Sequence, residues 1–314
     1  MSRLATWTIL LALSQTASSG PLRDAIEAHR GERQAERGRN TTSAQSLPQG
    51  ARLLRDVAYG ADPKQRMDVY LPARAKNAPV IFMAHGGGWR IGDKAMSRVI
   101  QNKVQRWVAR GFVFISVNYR LLPQADPLQQ ASDVAQALAK AQAQAVGWGA
   151  DPNRFILMGH SAGAHLVDLL TANPGLALKM GARRWLGTVS LDTAAMDIVQ
   201  TMQGKHPRLY DRAFGQDAAY WQAASPLHQL AKTATPMLLV CSSQRTDAPC
   251  TQARQFAEHA RPLGVRVEVL PQAMTHGAIN SDLGLPGAYT EAVETFMASL
   301  DPRIGQMLKP GESR

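Results

Sequence analysis

Residues 155–170 read FILMGHSAGAHLVDLL: an apolar run, a glycine-flanked turn and a second apolar run. The first run, Phe155–Met158, is typical of a strand that is buried on both faces. The stretch that ends in Leu166–Leu170 has the character of a buried helix. Between them, Gly159-His160-Ser161-Ala162-Gly163 matches the pattern Gly-x-Ser-x-Gly. A strand, a sharp turn and a helix in this order predict that the hydroxyl of Ser161 stands exposed above the end of a sheet.

The two glycines of this turn have a physical reason. Side chains two residues before and two residues after Ser161 would collide with the neighbouring backbone, and glycine removes the collision. The turn also points the N–H groups that follow the serine, at a helix N-terminus, toward developing negative charge. Because glycine and serine are common residues, the motif alone leaves an ordinary glycine-flanked turn as the alternative.

Outward from this stretch, short apolar runs alternate with helical patterns. The predicted strands are Met67–Leu71, Val80–Met83, Val113–Val117, Phe155–Met158, Leu186–Leu191, Met237–Val240 and Val265–Leu270. Helical spacing recurs over Ala131–Leu138, Ala253–Ala260 and Val293–Leu300. The first strand alternates apolar and polar residues and is expected to be an antiparallel edge. This alternation of strands and helices predicts one α/β domain, a mostly parallel twisted sheet with helices on both faces. Residues 196–235 do not follow the alternation and are interpreted as a small helical cover.

The ends of the chain differ from its middle. Residues 1–20 place Arg3 before the apolar run Leu4–Leu13 and end in small residues, which predicts a secretory signal peptide, with a buried N-terminal helix as the alternative. The run is shorter than the ~20 apolar residues that a bilayer span needs, so no stable membrane insertion is expected after signal removal. Residues 21–50 are interpreted as a linker, 51–302 as the domain and 303–314 as a C-terminal tail. The expected location is secreted or periplasmic.

Composition and charge exclude several classes of protein. Of the 314 residues 45% are hydrophobic and 19% charged, as in an ordinary globular protein. A net charge of +11 suits anionic surroundings. The arginines are scattered, however, without a dense basic run, zinc-ligand spacing or an aromatic-studded RNA motif, so no nucleic-acid partner is expected. The sequence leaves the oligomeric state open.

The chain contains two cysteines, Cys241 and Cys250. In the oxidising compartment that a signal peptide implies, such a pair can form a disulfide. We expect that they pair; two free thiols, one of them on a buried strand, are the alternative.

A second glycine motif, His85-Gly86-Gly87-Gly88-Trp89, follows the predicted strand Val80–Met83. Successive glycines let the backbone approach a ligand closely and aim N–H groups at it. Such a loop suits the negative oxygen of a tetrahedral intermediate in acyl transfer. A flexible loop or a phosphate cradle is the alternative, but the G-x-x-x-x-G-K pattern of a phosphate loop is missing.

These motifs, with Val117-Asn118-Tyr119-Arg120 and GHSAGAHL at 159–166, give the sequence a resemblance to the α/β-hydrolase fold. It is similar in particular to the hormone-sensitive-lipase-like and feruloyl-esterase-like carboxylesterases, over about residues 57–300. The resemblance implies a serine carboxylic-ester hydrolase acting on small acyl or aryl esters, feruloyl esters among them. It also implies that Gly87, Gly88 and Ala162 hold the oxyanion.

The family order of serine, acid and histidine assigns the remaining roles. The acid normally follows the strand after the cover, which makes Asp247 the expected acid, with Asp192 and Asp197 as runners-up. The histidine normally follows the last strand, which makes His276 the expected base.

In the implied reaction Ser161 is the nucleophile, Trp89 contacts the substrate, and no metal or organic cofactor takes part. The alternatives are an arylformamidase-like hydrolase of N-formyl amides, and a non-catalytic binding protein on a hydrolase scaffold.

Overall fold

The computed structural model describes residues 47–309. The predicted signal peptide, residues 21–46 of the predicted linker and the last residues of the predicted tail lie outside this range. None of the helices within it combines the length and the apolar character that a membrane span requires.

An eight-stranded sheet forms the centre of the described domain, in the spatial order β1-β2-β4-β3-β5-β6-β7-β8. β1 and β2, and β2 and β4, pair antiparallel, and all other neighbours pair parallel. The strands are β1 Arg52–Ala58, β2 Arg66–Leu71, β3 Ala78–Ala84, β4 Val113–Val117, β5 Ala150–His160, β6 Gly187–Leu191, β7 Met237–Ser242 and β8 Val267–Gln272. The predicted mostly parallel sheet is therefore confirmed.

Helices follow the strands in the expected alternation. They are α1 Ser97–Lys103, α2 Pro127–Gln144, α3 Ala162–Ala172, α4 Gly175–Leu178, α5 Ile198–Gln203, α6 Arg208–Phe214, α7 Ala218–Ala224, α8 Pro249–Ala260, α9 His276–Ser281, α10 Ala288–Leu300 and α11 Pro302–Leu308. A π-helical turn, Val104–Val108, continues α1. The short helices α5, α6 and α7 are the predicted cover.

Two apolar layers enclose the sheet. Alternate residues of β3 point to opposite faces, as in any strand. Val80 and Phe82 are buried with α2, α3 and the cover. Ile81 and Met83 are buried on the other face with α1, α10 and α11. The central strands are thus covered on both sides, and the carboxyl ends of β3, β5, β6, β7 and β8 meet at one edge.

Two predictions, the edge strand of the sheet and the start of the C-terminal tail, are wrong. β2 is not the edge of the sheet, because β1 pairs outside it. The tail predicted from residue 303 is instead the helix α11, whose Ile304 and Leu308 are buried in the core. Asp301 caps this helix by accepting hydrogen bonds from the N–H groups of Arg303 and Ile304. The domain therefore continues at least to Leu308.

Cys241, at the end of β7, and Cys250, in α8, form a disulfide with their Cα atoms 5.1 Å apart. The predicted pairing is confirmed. The bridge closes the loop 242–249 at the carboxyl edge of the sheet.

Replacing both cysteines by alanine is expected to lower the free energy of unfolding by about 2–3 kcal/mol, because the short closed loop no longer restricts the unfolded chain. Denaturant unfolding of the variant and the parent measures the difference. Adding a reductant should destabilise the parent and leave the variant unchanged. Equal stability of oxidised and reduced parent would show that the bridge contributes nothing.

Candidate active site

Ser161 stands at a sharp turn between β5 and α3. Its backbone has φ 55° and ψ −118°, a region that side-chain-bearing residues rarely occupy. The Ser161 N–H donates to the carbonyl of Leu191 at the end of β6, at 2.9 Å. Ser161 immediately precedes α3, whose residues are all buried. This is the strained elbow that the sequence predicts.

Glycine is required on either side of Ser161 because a side chain there would collide with the neighbouring backbone, as the sequence predicts. A Cβ on Gly159 would lie 2.4 Å from the carbonyl oxygen of Gly163, and a Cβ on Gly163 would lie 2.3 Å from that of His85. A Cβ on Gly86 would lie 3.0 Å from the Cβ of Ser161. The elbow and the glycine loop are therefore in direct contact.

The glycine loop turns sharply beside the elbow. Gly87 and Gly88 have φ values of +133° and +57°, and the carbonyl of Gly87 accepts from the N–H groups of Arg90 and Ile91. Within residues 47–309 the N–H groups of Gly87, Gly88 and Ala162 donate to no protein acceptor. They are the three donors predicted for an oxyanion.

His276 begins α9, directly after the loop that follows β8. His160, next to Ser161, donates from Nε2 to the carbonyl of His276 at 3.0 Å, and the two rings lie 4.5 Å apart. Burial, and then the nearby charge of His276, lower the pKa of His160 well below its usual value. His160 is thus a neutral hydrogen-bond donor, and its bond to the His276 carbonyl connects the start of α9 to the elbow.

The carboxylate on His276 is Asp192, not Asp247. His276 Nδ1 donates to Asp192 Oδ2 at 2.7 Å, and the Asp192 side chain is 0% exposed. Burial alone would raise the pKa of Asp192, but the hydrogen bond from His276 and the charge of Arg245 hold it well below its usual range. The prediction of Asp247 is corrected to the runner-up from the loop after β6.

Asp247 has a different partner. Its side chain is 46% exposed and accepts hydrogen bonds from two nitrogens of Arg245, from Nε at 2.9 Å and from Nη2. Asp247 comes five positions after the last residue of β7, and its carboxylate contacts the guanidinium of Arg245 rather than the imidazole. The other runner-up, Asp197, caps α5 by accepting from Gln200 N–H.

Trp89 is also placed differently from its prediction. Its side chain is 3% exposed and packs edge-on against Tyr210 and Phe214 of the cover. Its indole N–H donates to His165 Nδ1 at 3.2 Å, and His165 Nε2 lies 2.8 Å from the carbonyl of Ala224 in α7. Trp89 therefore joins the glycine loop to the cover as a core residue, and the predicted substrate contact is withdrawn.

Lys103 is a buried residue that supports the histidine loop. Its Nζ donates to the carbonyl and the side-chain oxygen of Asn280 in α9, the latter at 2.9 Å. Burial lowers the pKa of Lys103 to about 7. In the described range 47–309, no cluster of three or more His, Cys, Asp or Glu side chains is arranged to bind a metal ion.

A family model described as BD-FAE matches residues 67–179. Esterase LipC of Mycobacterium tuberculosis is 29% identical over 276 residues, which cover 81% of this chain and 67% of that protein. A probable isoprenylcysteine α-carbonyl methylesterase of Oryza sativa is 35% identical over 116 residues, 37% of this chain and 27% of that protein. The chain spans between about a quarter and two thirds of the length of these two relatives.

Among solved structures, esterase B of Lactobacillus rhamnosis aligns with a TM-score of 0.68 at 19% identity, over 91% of this chain and 96% of that one. At this identity the likeness concerns the fold alone. The chain thus has the fold of the α/β-hydrolases and is similar in sequence to esterases.

Proposed function

We propose that this protein hydrolyses carboxylic esters through Ser161, His276 and Asp192. The observation that carries the proposal is the hydrogen bond between buried Asp192 and half-buried His276, 2.7 Å between Oδ2 and Nδ1, beside the strained serine elbow. Because Nδ1 donates to Asp192, Nε2 is the ring nitrogen left to exchange a proton with the serine. This is the division of roles in a serine-histidine-aspartate triad.

In the proposed reaction the Ser161 hydroxyl attacks the ester carbonyl while His276 takes its proton. The N–H groups of Gly87, Gly88 and Ala162 stabilise the negative oxygen of the tetrahedral intermediate. His276 then gives the proton to the departing alcohol, which leaves an acyl ester on the serine. Water, activated by the same imidazole, releases the acid and restores the hydroxyl.

The substrates proposed are esters of small acyl or aryl groups, feruloyl among them. A pocket of about 220 Å³ opens between the cover and the loop of Asp247, and Ala194, Tyr210 and His206 help to line it. Ala194 lies two residues after Asp192, so the pocket starts close to the proposed catalytic groups.

Export to a secreted or periplasmic location is part of the proposal. The apolar run behind Arg3 supports it, and so does the disulfide between Cys241 and Cys250, since such bonds persist in oxidising compartments.

Labelling with a fluorophosphonate, followed by peptide mapping, tests the nucleophile. We expect one label, on Ser161, and none after Ser161→Ala. A panel of p-nitrophenyl esters from acetyl to longer chains, methyl ferulate and N-formylkynurenine then tests the substrate class. Turnover of N-formylkynurenine far above that of every ester would favour the arylformamidase alternative, and no label and no turnover would favour a binding protein.

Gly163→Ala is expected to lower ester turnover by about 10²-fold or more, the loss typical of a damaged oxyanion site. The added Cβ would meet the carbonyl oxygens of His85 and Ala84 at 2.3 and 2.4 Å, so the glycine loop must move away from the elbow. Steady-state kinetics and a thermal melt measure the two consequences. Gly147→Ala is the matched control, because a Cβ there meets nothing within 4 Å; equal activity of both variants would contradict the geometry.

A further inference from the structure

Arg245 links the proposed acid to the exposed side of the site. Its Nη1 donates to Asp192 Oδ2 at 2.9 Å and to the Asp192 carbonyl at 2.9 Å. The same nitrogen lies 3.0 Å from His276 Nδ1. Since Nδ1 already donates its proton to Asp192, this last approach is a contact between a cation and the ring rather than a hydrogen bond.

The guanidinium is held from both sides. Asp247 binds its outer edge, at the surface, while Asp192 binds its inner edge. Burial alone would lower the pKa of Arg245, but the two carboxylates outweigh burial and raise it. The loop 242–249 that carries Arg245 and Asp247 is closed by the disulfide. The charge beside His276 is therefore permanent and fixed in position.

Both oxygens of the Asp192 carboxylate accept hydrogen bonds. Oδ1 accepts from the Ser242 N–H at 2.7 Å, and Oδ2 accepts from both His276 and Arg245. A carboxylate beside an imidazole favours the protonated ring, whereas a guanidinium beside it disfavours that form. The two charges that meet at Oδ2 thus act on His276 in opposite directions.

We infer that Arg245 is a positioning residue of the proposed ester hydrolysis: it fixes Asp192 beside His276 and offsets part of the carboxylate's charge, so that removing the guanidinium moves the acid limb of the pH dependence toward higher pH. The inference rests on the proposed function. It gives the second loop carboxylate, Asp247, a role as the anchor of Arg245 rather than as the acid.

Other titratable groups around His276 do not supply this charge. From β5, His160 faces the ring, and its pKa is lowered well below the usual value by burial. From α10, Tyr289 lies near Asp192, and burial raises the pKa of its phenol, so it is neutral. Lys103, from α1, acts on His160 more weakly than His276 and Asp192 do.

The test compares the pH dependence of kcat/KM for Arg245→Gln, Arg245→Lys and the parent. Gln keeps a donor for Asp192 but removes the charge. We expect the half-maximal point of the acid limb to move toward higher pH by about one unit or more in Arg245→Gln. Lys restores the charge and should return the midpoint most of the way. Asp247→Asn frees the cation from its second carboxylate and should move the midpoint in the opposite direction, by less, because Asp247 is half exposed.

A measurement that does not depend on turnover distinguishes failure of the inference about Arg245 from failure of the proposed function. In the Ser161→Ala background, the ring-proton NMR signals of His276 should titrate at higher pH when Arg245 is Gln than when it is Arg. An unchanged midpoint in both kinetics and NMR, with activity lowered equally at every pH, would overturn the inference and leave the hydrolase proposal standing. Failure of the proposed function would appear instead as parent protein that neither takes the label nor turns over any ester.

Discussion

Ser161→Ala is expected to lower the turnover of short p-nitrophenyl esters by about 10⁵–10⁶-fold, because the covalent route disappears with the hydroxyl. The fold should not change, since alanine keeps the Cβ and the elbow depends on the glycines and on the Ser161 N–H, which donates to Leu191. Residual activity would come from the oxyanion donors and from substrate binding alone. Steady-state kinetics with freshly purified variant measures the loss.

Ser243→Ala is the matched control for this variant. Ser243 is an exposed serine at the same edge of the sheet, and its hydroxyl donates to the carbonyl of Gln272 at 3.2 Å. We expect it to keep parental turnover, and both variants to keep the parental melting temperature. Turnover of Ser161→Ala within tenfold of the parent, with the melt unchanged, would remove Ser161 from the mechanism.

The architecture could be predicted because the sequence is locally consistent. Short apolar runs and helical patterns alternate, and the central parallel strands are buried on both faces, where such runs are required. β1 was missed because its apolar residues lie at Leu53, Leu54 and Val57, without the period of two. The structure explains this: the pairing of β1 with β2 shifts register between Leu54 and Val57, so the pattern is interrupted within the strand.

The elbow and the histidine were predictable for a local reason. Gly159 and Gly163 are fixed by contacts of their own backbone with the turn and the neighbouring strand end. A sharp turn of this kind leaves a signature within five residues. His276 directly follows the loop after the last strand, so its position depends on topology and not on the details of a long loop.

The acid could not be chosen in this way, because carboxylates follow two neighbouring parallel strands. Both loops meet at the same edge of the sheet. The choice depends on backbone geometry: Asp192 comes directly after β6, with φ 57°, and its side chain reaches the imidazole. Asp247 comes after a longer loop and meets Arg245 first. The one usable signal was the immediate adjacency of Asp192 to its strand.

The supporting residues carry no recognisable signal in the sequence. Arg245, His160 and Lys103 act through partners on other loops, over separations of 31 to 177 residues. The role of such a side chain depends on contacts that form only when the loops meet at the edge of the sheet, and not on its neighbours in the sequence. The same holds for Trp89, whose place in the core depends on a cover that folds onto it.

Asp192→Asn is expected to lower ester turnover by about 10⁴-fold, the loss seen when a triad aspartate becomes an amide and the imidazole adopts the wrong tautomer. Asparagine tolerates the left-handed backbone at this position about as well as aspartate does. Its amide nitrogen would face the Nδ1–H of His276 or the guanidinium of Arg245, where only an acceptor fits. Kinetics at a pH where the parent is fully active measure the effect.

The loss of a buried charge can also destabilise the protein, so a folded fraction must be measured beside the rate. A thermal melt and circular dichroism of Asp192→Asn give that fraction, and the rate is expressed per folded molecule. Asp247→Asn supplies the comparison: its half-exposed carboxylate touches Arg245 and not the imidazole, so its turnover should stay within about tenfold of the parent, because removing an exposed ion pair typically changes little. If Asp247→Asn were the crippled variant and folded Asp192→Asn remained active, the acid would lie after β7, and the hydrogen bond between Asp192 and His276 would have no part in catalysis.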